Sequence, residues 1–271
     1  MEINNILHKI SAKRKTDLEE IRNQCLHLKS GVKKGETKGE KQETLGQVIR
    51  RQREQINIIA EIKPYSPSQG NLLKDEEPLE IVKEYEKGGA IGFSILTEPH
   101  FFHGSYDLFA AITSKTDKPR LMKDFIVDPV QIEVAAALGA SNILIINEIA
   151  NLQDLIPLCL KTGVEPLIEI HEERELEDLR VVPMDLLKKC VIGVNNRNLK
   201  TLKVNILNSI NLIPKILDIH PDLCVISESG INDYNDIYQL RKCGAQGFLI
   251  GTSLMKAENR VEKLKQLRGV N

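Results

Sequence analysis

Tryptophan is absent from the 271 residues, and aromatic residues of all kinds make up only 4%. Any ring-stacking surface for a ligand must therefore come from a few identifiable positions. The five cysteines (Cys25, Cys159, Cys190, Cys224, Cys243) are odd in number, widely spread and contain no CxxC pair. That excludes a disulfide framework and a cysteine zinc site, and leaves buried apolar thiols as the expectation. No apolar run approaches the ~18 residues that a spanning helix needs, and MEINNILHKISAKRK lacks the basic, apolar, small-residue order of a secretory signal. A cytoplasmic, non-membrane protein is expected. The net charge of −1 offers no general attraction to nucleic acid or anionic lipid, so any bound anion needs a local site.

Hydrophobic residues at 41% and charged residues at 28% are enough for a sizeable core in a soluble globular protein. The first 57 residues differ in character from the rest. Residues 4 to 29 read as one amphipathic helix with Leu7, Ile10, Leu18, Ile21, Leu26 and Leu28 on its apolar stripe. Residues 29 to 43 are polar, lysine-rich and punctuated by Gly31, Gly35 and Gly39, which reads as a mobile basic loop. No G-x4-G-K-[ST] is present, so a phosphate-loop nucleotide site is excluded.

From residue 58 onward, eight short apolar or β-branched runs recur: IIAEIK (58–63), GFSILT (92–97), RLMKDF (120–125), NILIIN (142–147), EPLIEI (165–170), VIGVNNR (191–197), LCVISES (223–229) and GFLIGT (247–252). Helical periodicity fills the gaps, as in PLEIVKEYEKGGA (78–90) and PVQIEVAAALGA (129–140). Eight strand-then-helix units in a chain of this length predict a closed parallel (β/α)8 TIM barrel with an N-terminal helical extension over one mouth. A doubly wound open sheet is the alternative, but it wants a glycine fingerprint after the first strand, where this chain reads KPYSPSQG. The expected organisation is one barrel domain over 1–271, with 1–57 as the helical extension and basic loop.

A buried parallel strand should be almost wholly apolar, so polar residues within one carry information. Five runs break that rule near their C-terminal ends, with Glu61 and Lys63, Lys123 and Asp124, Glu169, Asn195 with Asn196 and Arg197, and Glu228 with Ser229. Those ends form the face on which such barrels build active sites. Residues i and i+2 share a side, so Glu61 and Lys63 point together, and if they point inward they meet Lys123 and Glu169 at one mouth. A buried ion-pair network that merely fixes strand register is the alternative. Two lysines converging with carboxylates favour acid–base chemistry. The last two runs end in the small, glycine-bearing turns SESGI (227–231) and LIGTSLM (249–255), where backbone N–H groups can cradle a phosphate.

The segments IIAEIKPYSPSQG, SILTEPHFFHGS, LMKDFIVDPVQI, LIEIHEERELE, IGVNNRNLKT, SESGI and GFLIGTSLMK together resemble the indole-3-glycerol-phosphate synthase family. They cover every barrel strand except the fourth, in the family's order. The resemblance implies closure of 1-(2-carboxyphenylamino)-1-deoxyribulose 5-phosphate to indole-3-glycerol phosphate with loss of carbon dioxide and water, a step of tryptophan biosynthesis. It implies that Lys123 is the general acid, Lys63 the second catalytic lysine holding the anionic substrate, and Glu169 the acid/base of dehydration. Glu61 and Asn195 match orienting positions. Ser66, Phe101, Phe125, Arg197, Glu228 and Ser229 match substrate-binding positions, and Gly230, Gly251 and Thr252 the phosphate-binding turns. The chain departs from the family pattern at Met122, Pro64 and Tyr65, beside the two lysines.

This chemistry needs neither cofactor nor metal, because the electrons released with carbon dioxide enter the iminium made by ring closure. A lysine among positive neighbours would have a lowered pKa and donate its proton more readily. His100, His103 and His171 have no zinc spacing and are expected to be solvated loop residues. The expected partner is a small phosphosugar substrate acting on a monomer, with association with other tryptophan-pathway enzymes left open. An aldolase-type Schiff base on Lys63 or Lys123, and a catalytically silent phosphosugar binder, are the competing readings.

Overall fold

The computed structural model describes residues 6–31, 42–74, 76–199 and 201–270. Most of the basic stretch at 29–43 lies outside the described residues. Eight strands, β1 (Asn57–Ile62), β2 (Gly92–Leu96), β3 (Arg120–Lys123), β4 (Asn142–Ile146), β5 (Glu165–Ile170), β6 (Val191–Asn195), β7 (Cys224–Glu228) and β8 (Gly247–Ile250), pair in parallel with their chain neighbours. Pairing of Ala60 with Ile250 closes β8 onto β1 and completes the (β/α)8 barrel. The two-residue strands Tyr65–Ser66 and Gly70–Asn71 make a small hairpin in the loop after β1 that the sequence does not announce.

Alternation sorts the strand residues into two cores. Ile58, Ala60, Ile62, Phe93, Ile95, Met122, Ile143, Ile168 and Phe248 face outward into the layer shared with the helices. Ile59, Leu121, Leu144, Leu167, Ile226 and Leu249 fill the barrel interior. Two residues beyond this inner apolar layer come Glu61, Lys123, Ile146, Glu169, Glu228 and Gly251, so the polar groups emerge together at the C-terminal mouth. Met122 is fully buried on the outward side, which removes that departure from the family pattern from the site.

The outer layer contains α4 (Pro78–Lys87), α5 (Tyr106–Thr113), α6 (Val130–Ala137), α7 (Leu152–Thr162), α8 (Leu176–Arg180), α9 (Met184–Leu187), α10 (Leu207–Ile219), α11 (Tyr234–Lys242), α12 (Thr252–Met255) and α13 (Arg260–Arg268). No helix among the described residues is long and apolar enough to cross a membrane.

The N-terminal extension is three helices, where the sequence suggested one: α1 (Ile6–Thr16), α2 (Leu18–Gly31) and α3 (Leu45–Arg51). The expected continuous helix over 4–29 breaks at Asp17. Its N–H bonds Arg14 O at 3.1 Å in a tightened turn, and its carboxylate is drawn to Arg14 (2.9 Å) and His100 (2.9 Å). The break rotates α2, which seats Ile21 and Cys25 against Val134 of α6 and leaves Leu26, placed on the apolar stripe by periodicity, exposed.

The two ends of the extension serve opposite mouths. Thr44 caps α3 in a reciprocal box with Gln47, and Leu45 and Ile49 enter the barrel's inner core. The first amides of α3 donate to side chains at strand starts, Leu45 N to Asn142 Oδ1 (2.9 Å) and Gly46 N to Glu165 Oε2 (2.8 Å). A carboxylate at a helix N-terminus explains the buried charge that opens β5. At the other mouth, the buried Arg14 of α1 grips Asp124 with two bonds of 2.9 and 2.6 Å.

Candidate active site

Strand register sets the level of the polar groups. Glu61 pairs across from Ser94, Leu96 from Lys123, Ile146 from Glu169, and Asn195 from Glu228. Lys63, one residue past the end of β1, folds back so that its Nζ lies 2.6 Å from Glu61 Oε1. Lys123 Nζ lies 2.9 Å from Glu228 Oε2, 3.6 Å from Glu61 Oε2 and 3.8 Å from Glu169 Oε2. Two lysines and three carboxylates thus form one buried cluster at the floor of a cavity of about 510 Å³.

Electrostatics decide the charge states. Burial alone would push the Lys123 ammonium downward, but Glu228, Glu61 and Glu169 outweigh it and hold Lys123 well above the ordinary lysine range. This corrects the expectation of a lysine acidified by positive neighbours: its surroundings are anionic, and it is firmly protonated. Burial likewise opposes ionisation of Glu61, yet Lys63 and Lys123 hold it below the usual carboxylate range. Glu228 and Glu169 titrate together. Burial, reinforced by Glu169 and only partly offset by Lys123, lifts Glu228 to about 7. For Glu169 burial is outweighed by His171 and Lys123, which keep it ionised.

Of the residues expected at the site, Lys63, Lys123, Glu61, Glu169, Asn195, Arg197, Phe125, Ser229, Gly230, Gly251 and Thr252 line the cavity. Asn195 Oδ1 accepts from the Arg197 backbone N–H at 2.9 Å, and the Arg197 guanidinium donates to Leu202 O at 3.0 Å, which shapes the loop after β6. Glu228 is fully buried beneath Lys123, where it can orient the lysine but not meet a ligand. Its room is made by Gly193, since a Cβ there would stand 2.0 Å from Glu228 Oε1.

Ser66 and Phe101 stand back from the cavity. Ser66 is buried against Ser68, and Phe101 donates its amide to Glu98 Oε2 at 2.8 Å. The fully buried Glu98 gathers the amides of His100, Phe101 and Phe102, and this turn presents Phe102 to the cavity instead. Phe102 stacks on Phe125 with ring centroids 5.9 Å apart, giving the aromatic wall. Neither Pro64 nor Tyr65 lines the cavity, and Tyr65 stacks on His103 at 4.3 Å.

At the far end lie the two small turns. Ser229 and Gly230 both take left-handed backbone (φ 68° and 78°), and Ser253 Oγ ties the turns together through Ile231 O at 3.0 Å. Gly230, Gly251, Thr252 and Ser253 share this wall with the exposed Lys256, whose Nζ reaches Gln69 on the loop after β1. Glycine at 251 is also required by the lysine centre itself. A Cβ there would sit 2.2 Å from Glu61 Oε1, so it would strike the lysine-holding carboxylate.

A further expectation is overturned. His171 is 7% exposed rather than solvated, and its Nε2 stands 3.1 Å from Glu169 Oε1, at ion-pair distance though poorly aligned for a hydrogen bond. Only its position two residues after Glu169 could have signalled this. His100, by contrast, is surface-accessible and pairs with Asp17.

Fold and site together define a (β/α)8-barrel enzyme with a lysine–carboxylate centre for acid–base chemistry and small turns at one end of its cavity. The family model "Indole-3-glycerol phosphate synthase" matches residues 7–267. Indole-3-glycerol phosphate synthase of Campylobacter fetus is 40% identical over 224 residues, covering 82% of this chain and 84% of its own. That of Aquifex aeolicus is 42% identical over 215 residues, covering 78% and 81%. Among solved structures, thiamine phosphate pyrophosphorylase from Pyrococcus furiosus superposes with a TM-score of 0.57 at 17% identity over 80% of this chain and 95% of its own, a likeness of fold alone. The chain belongs to the indole-3-glycerol phosphate synthase family, and is a decarboxylating carbon–carbon lyase of tryptophan biosynthesis.

Proposed function

We propose that this barrel closes 1-(2-carboxyphenylamino)-1-deoxyribulose 5-phosphate with Lys123 as general acid. As the aromatic carbon attacks the sugar ketone, Lys123 protonates the forming oxyanion, and Lys63, steered by Glu61, holds the substrate's negative charge. Carbon dioxide then leaves with its bonding pair passing into the iminium. Glu169 serves the dehydration that follows, with Asn195 and Arg197 orienting the substrate, Phe102 and Phe125 flanking the aromatic ring, and Ser229, Gly230, Gly251 and Thr252 receiving the phosphate.

The observation that carries this reading is the position of Lys123 Nζ, at the cavity floor among Glu228, Glu61 and Glu169. A lysine kept protonated there holds the proton that the forming, strongly basic alkoxide takes up. The same charge state works against a Schiff base on Lys123, which needs the neutral amine. Lys123→Ala is expected to lower kcat by roughly 10²–10⁴, the usual worth of a positioned acid, while substrate affinity stays within a few-fold. Turnover followed by indole fluorescence checks this, and an unchanged kcat would remove Lys123 from the acid role. The working unit in this reading is a cytoplasmic monomer, with barrel and N-terminal extension as one domain. A dimer mass by light scattering would overturn the monomer.

A further inference from the structure

Adding up the reaction leaves a requirement that the lysine and carboxylates do not meet alone. Ring closure moves one proton from Lys123 to the ketone oxygen. Decarboxylation moves an electron pair but no proton. Dehydration breaks a C–O bond with a proton from an acid and returns a C–H proton to a base, with no net change. The substrate enters as a carboxylate and leaves as neutral carbon dioxide, so each turnover ends with Lys123 one proton short. Solvent must supply that proton before the next turnover, and while substrate or product fills the first cavity the direct path to the lysine is covered.

A second cavity, of about 390 Å³, adjoins the first behind the loop after β6. Leu199 lines both cavities and divides them. His171 lines the second, among Asn196, Asn205, Asn208 and Lys203, while its Nε2 lies 3.1 Å from Glu169 Oε1. Glu169 Oε2 is in turn 3.8 Å from Lys123 Nζ. Imidazole, carboxylate and ammonium thus form a chain from the asparagine-lined cavity to the catalytic acid. Neither ring nitrogen of His171 has a hydrogen-bond partner among the described residues, an expensive state for a buried polar group with no task.

We propose that His171 is a positioning residue through which a solvent proton returns to the catalytic cluster from the second cavity. The charged imidazole gives its Nε2 proton to Glu169, Glu169 passes a proton to the neutral Lys123 amine and is again a carboxylate, and the ring, left neutral with its Nδ1 proton in place, turns its bare Nε2 to the second cavity and takes up a solvent proton there. This rests on the Lys123 and Glu169 roles given above. The charges that bear on the ring are Glu169 on β5, Glu175 in the turn after it, whose carboxylate accepts the His171 amide at 2.9 Å, and Glu228 on β7. Glu148, Glu172 and Lys203 face it across the second cavity. Burial disfavours the imidazolium, but the carboxylates outweigh it and raise the pKa from 6.5, so the ring is readily charged in the resting site.

The test is His171→Gln, which keeps an amide donor for Glu169 but cannot carry a proton. It should melt close to the parent, keep KM within two-fold, and lose roughly ten-fold in kcat, the low end of acid–base contributions because water can partly substitute. Its solvent deuterium isotope effect on kcat should rise, since proton return becomes limiting. Free imidazole should lift kcat of His171→Gly, and if that variant does not fold, the isotope effect of His171→Gln decides alone. An unchanged kcat, or a lowered kcat with an unchanged isotope effect, overturns the relay. Lys123→Ala and Glu169→Gln run in the same assay separate the two readings: if these are inactive while His171→Gln is normal, only the relay fails. If Lys123→Ala turns over normally, the acid assignment beneath it fails.

Discussion

At the scale of single residues, the centre depends on carboxylates that hold lysines in place and on glycines that leave room for the carboxylates. Glu228 carries the clearest signature in pH. Its folded pKa of about 7 stands above the 4.5 of an ordinary glutamate, because burial and Glu169 disfavour its charge. The folded protein therefore keeps a proton that the unfolded chain has released. The stabilisation from this group is complete below about pH 4.5 and is lost as pH rises through 7. Between pH 5 and 8 the melting temperature of the parent should fall more steeply than that of Glu228→Gln, and parallel melting curves would contradict the raised pKa. Gly251→Ala sends a methyl into Glu61, so Lys63 should lose its anchor and kcat should drop even at saturating substrate. A mutant that lost only affinity would restore the simpler idea of a methyl crowding the phosphate. Sequence could nominate Glu61, Lys63, Lys123, Glu169 and Asn195 because charge in a buried parallel strand is conspicuous against its apolar neighbours. It could not choose Phe102 over Phe101 for the aromatic wall or bury His171, since each is placed by contacts that alternation along one strand does not encode, with Glu98 turning Phe102 inward.

At the scale of elements, the eight strands were legible because each is buried on both faces and reads as an apolar run. The extension was legible as helical, but its division into three helices and the mouths they grip were not, because those are set by distant partners rather than by local periodicity. Arg14 shows how far this matters. It holds Asp124, which also accepts from Thr97 Oγ1 (2.9 Å) and the Phe125 amide (2.8 Å), and so fixes the Lys123–Asp124–Phe125 segment from outside the barrel. Removing the guanidinium in Arg14→Ala strands a fully buried carboxylate, which costs about 3–5 kcal/mol for a broken buried pair. Chemical denaturation should show that loss, together with a rise in KM as Phe125 loses its support. Arg14→Ala with Asp124→Asn should cost less than the sum of the two single changes, and strict additivity would mean that the pair does not act as one unit.

At the scale of the whole molecule, the proposed reading assigns the cavity two tasks at opposite ends, phosphate binding at Gly230 and Thr252 and reaction at Lys123. An analogue lacking the phosphate should lose kcat as well as affinity, because remote binding energy sets the ketone against the lysine. Inorganic phosphate should compete at roughly millimolar concentration, as expected of a dianion without its remaining contacts. An analogue that reacts as well as the parent would make the two turns ordinary helix starts. The grip of the extension on both barrel mouths also bears on the order in which the protein can come into being. Leu45 waits for Asn142, Gly46 for Glu165 and Arg50 for Cys190, separations of 97, 119 and 140 residues, and β1 itself waits for β8. This segment is thus synthesised well before its partners, and the nascent chain must carry Leu45 and Ile49 uncovered until most of the barrel has emerged.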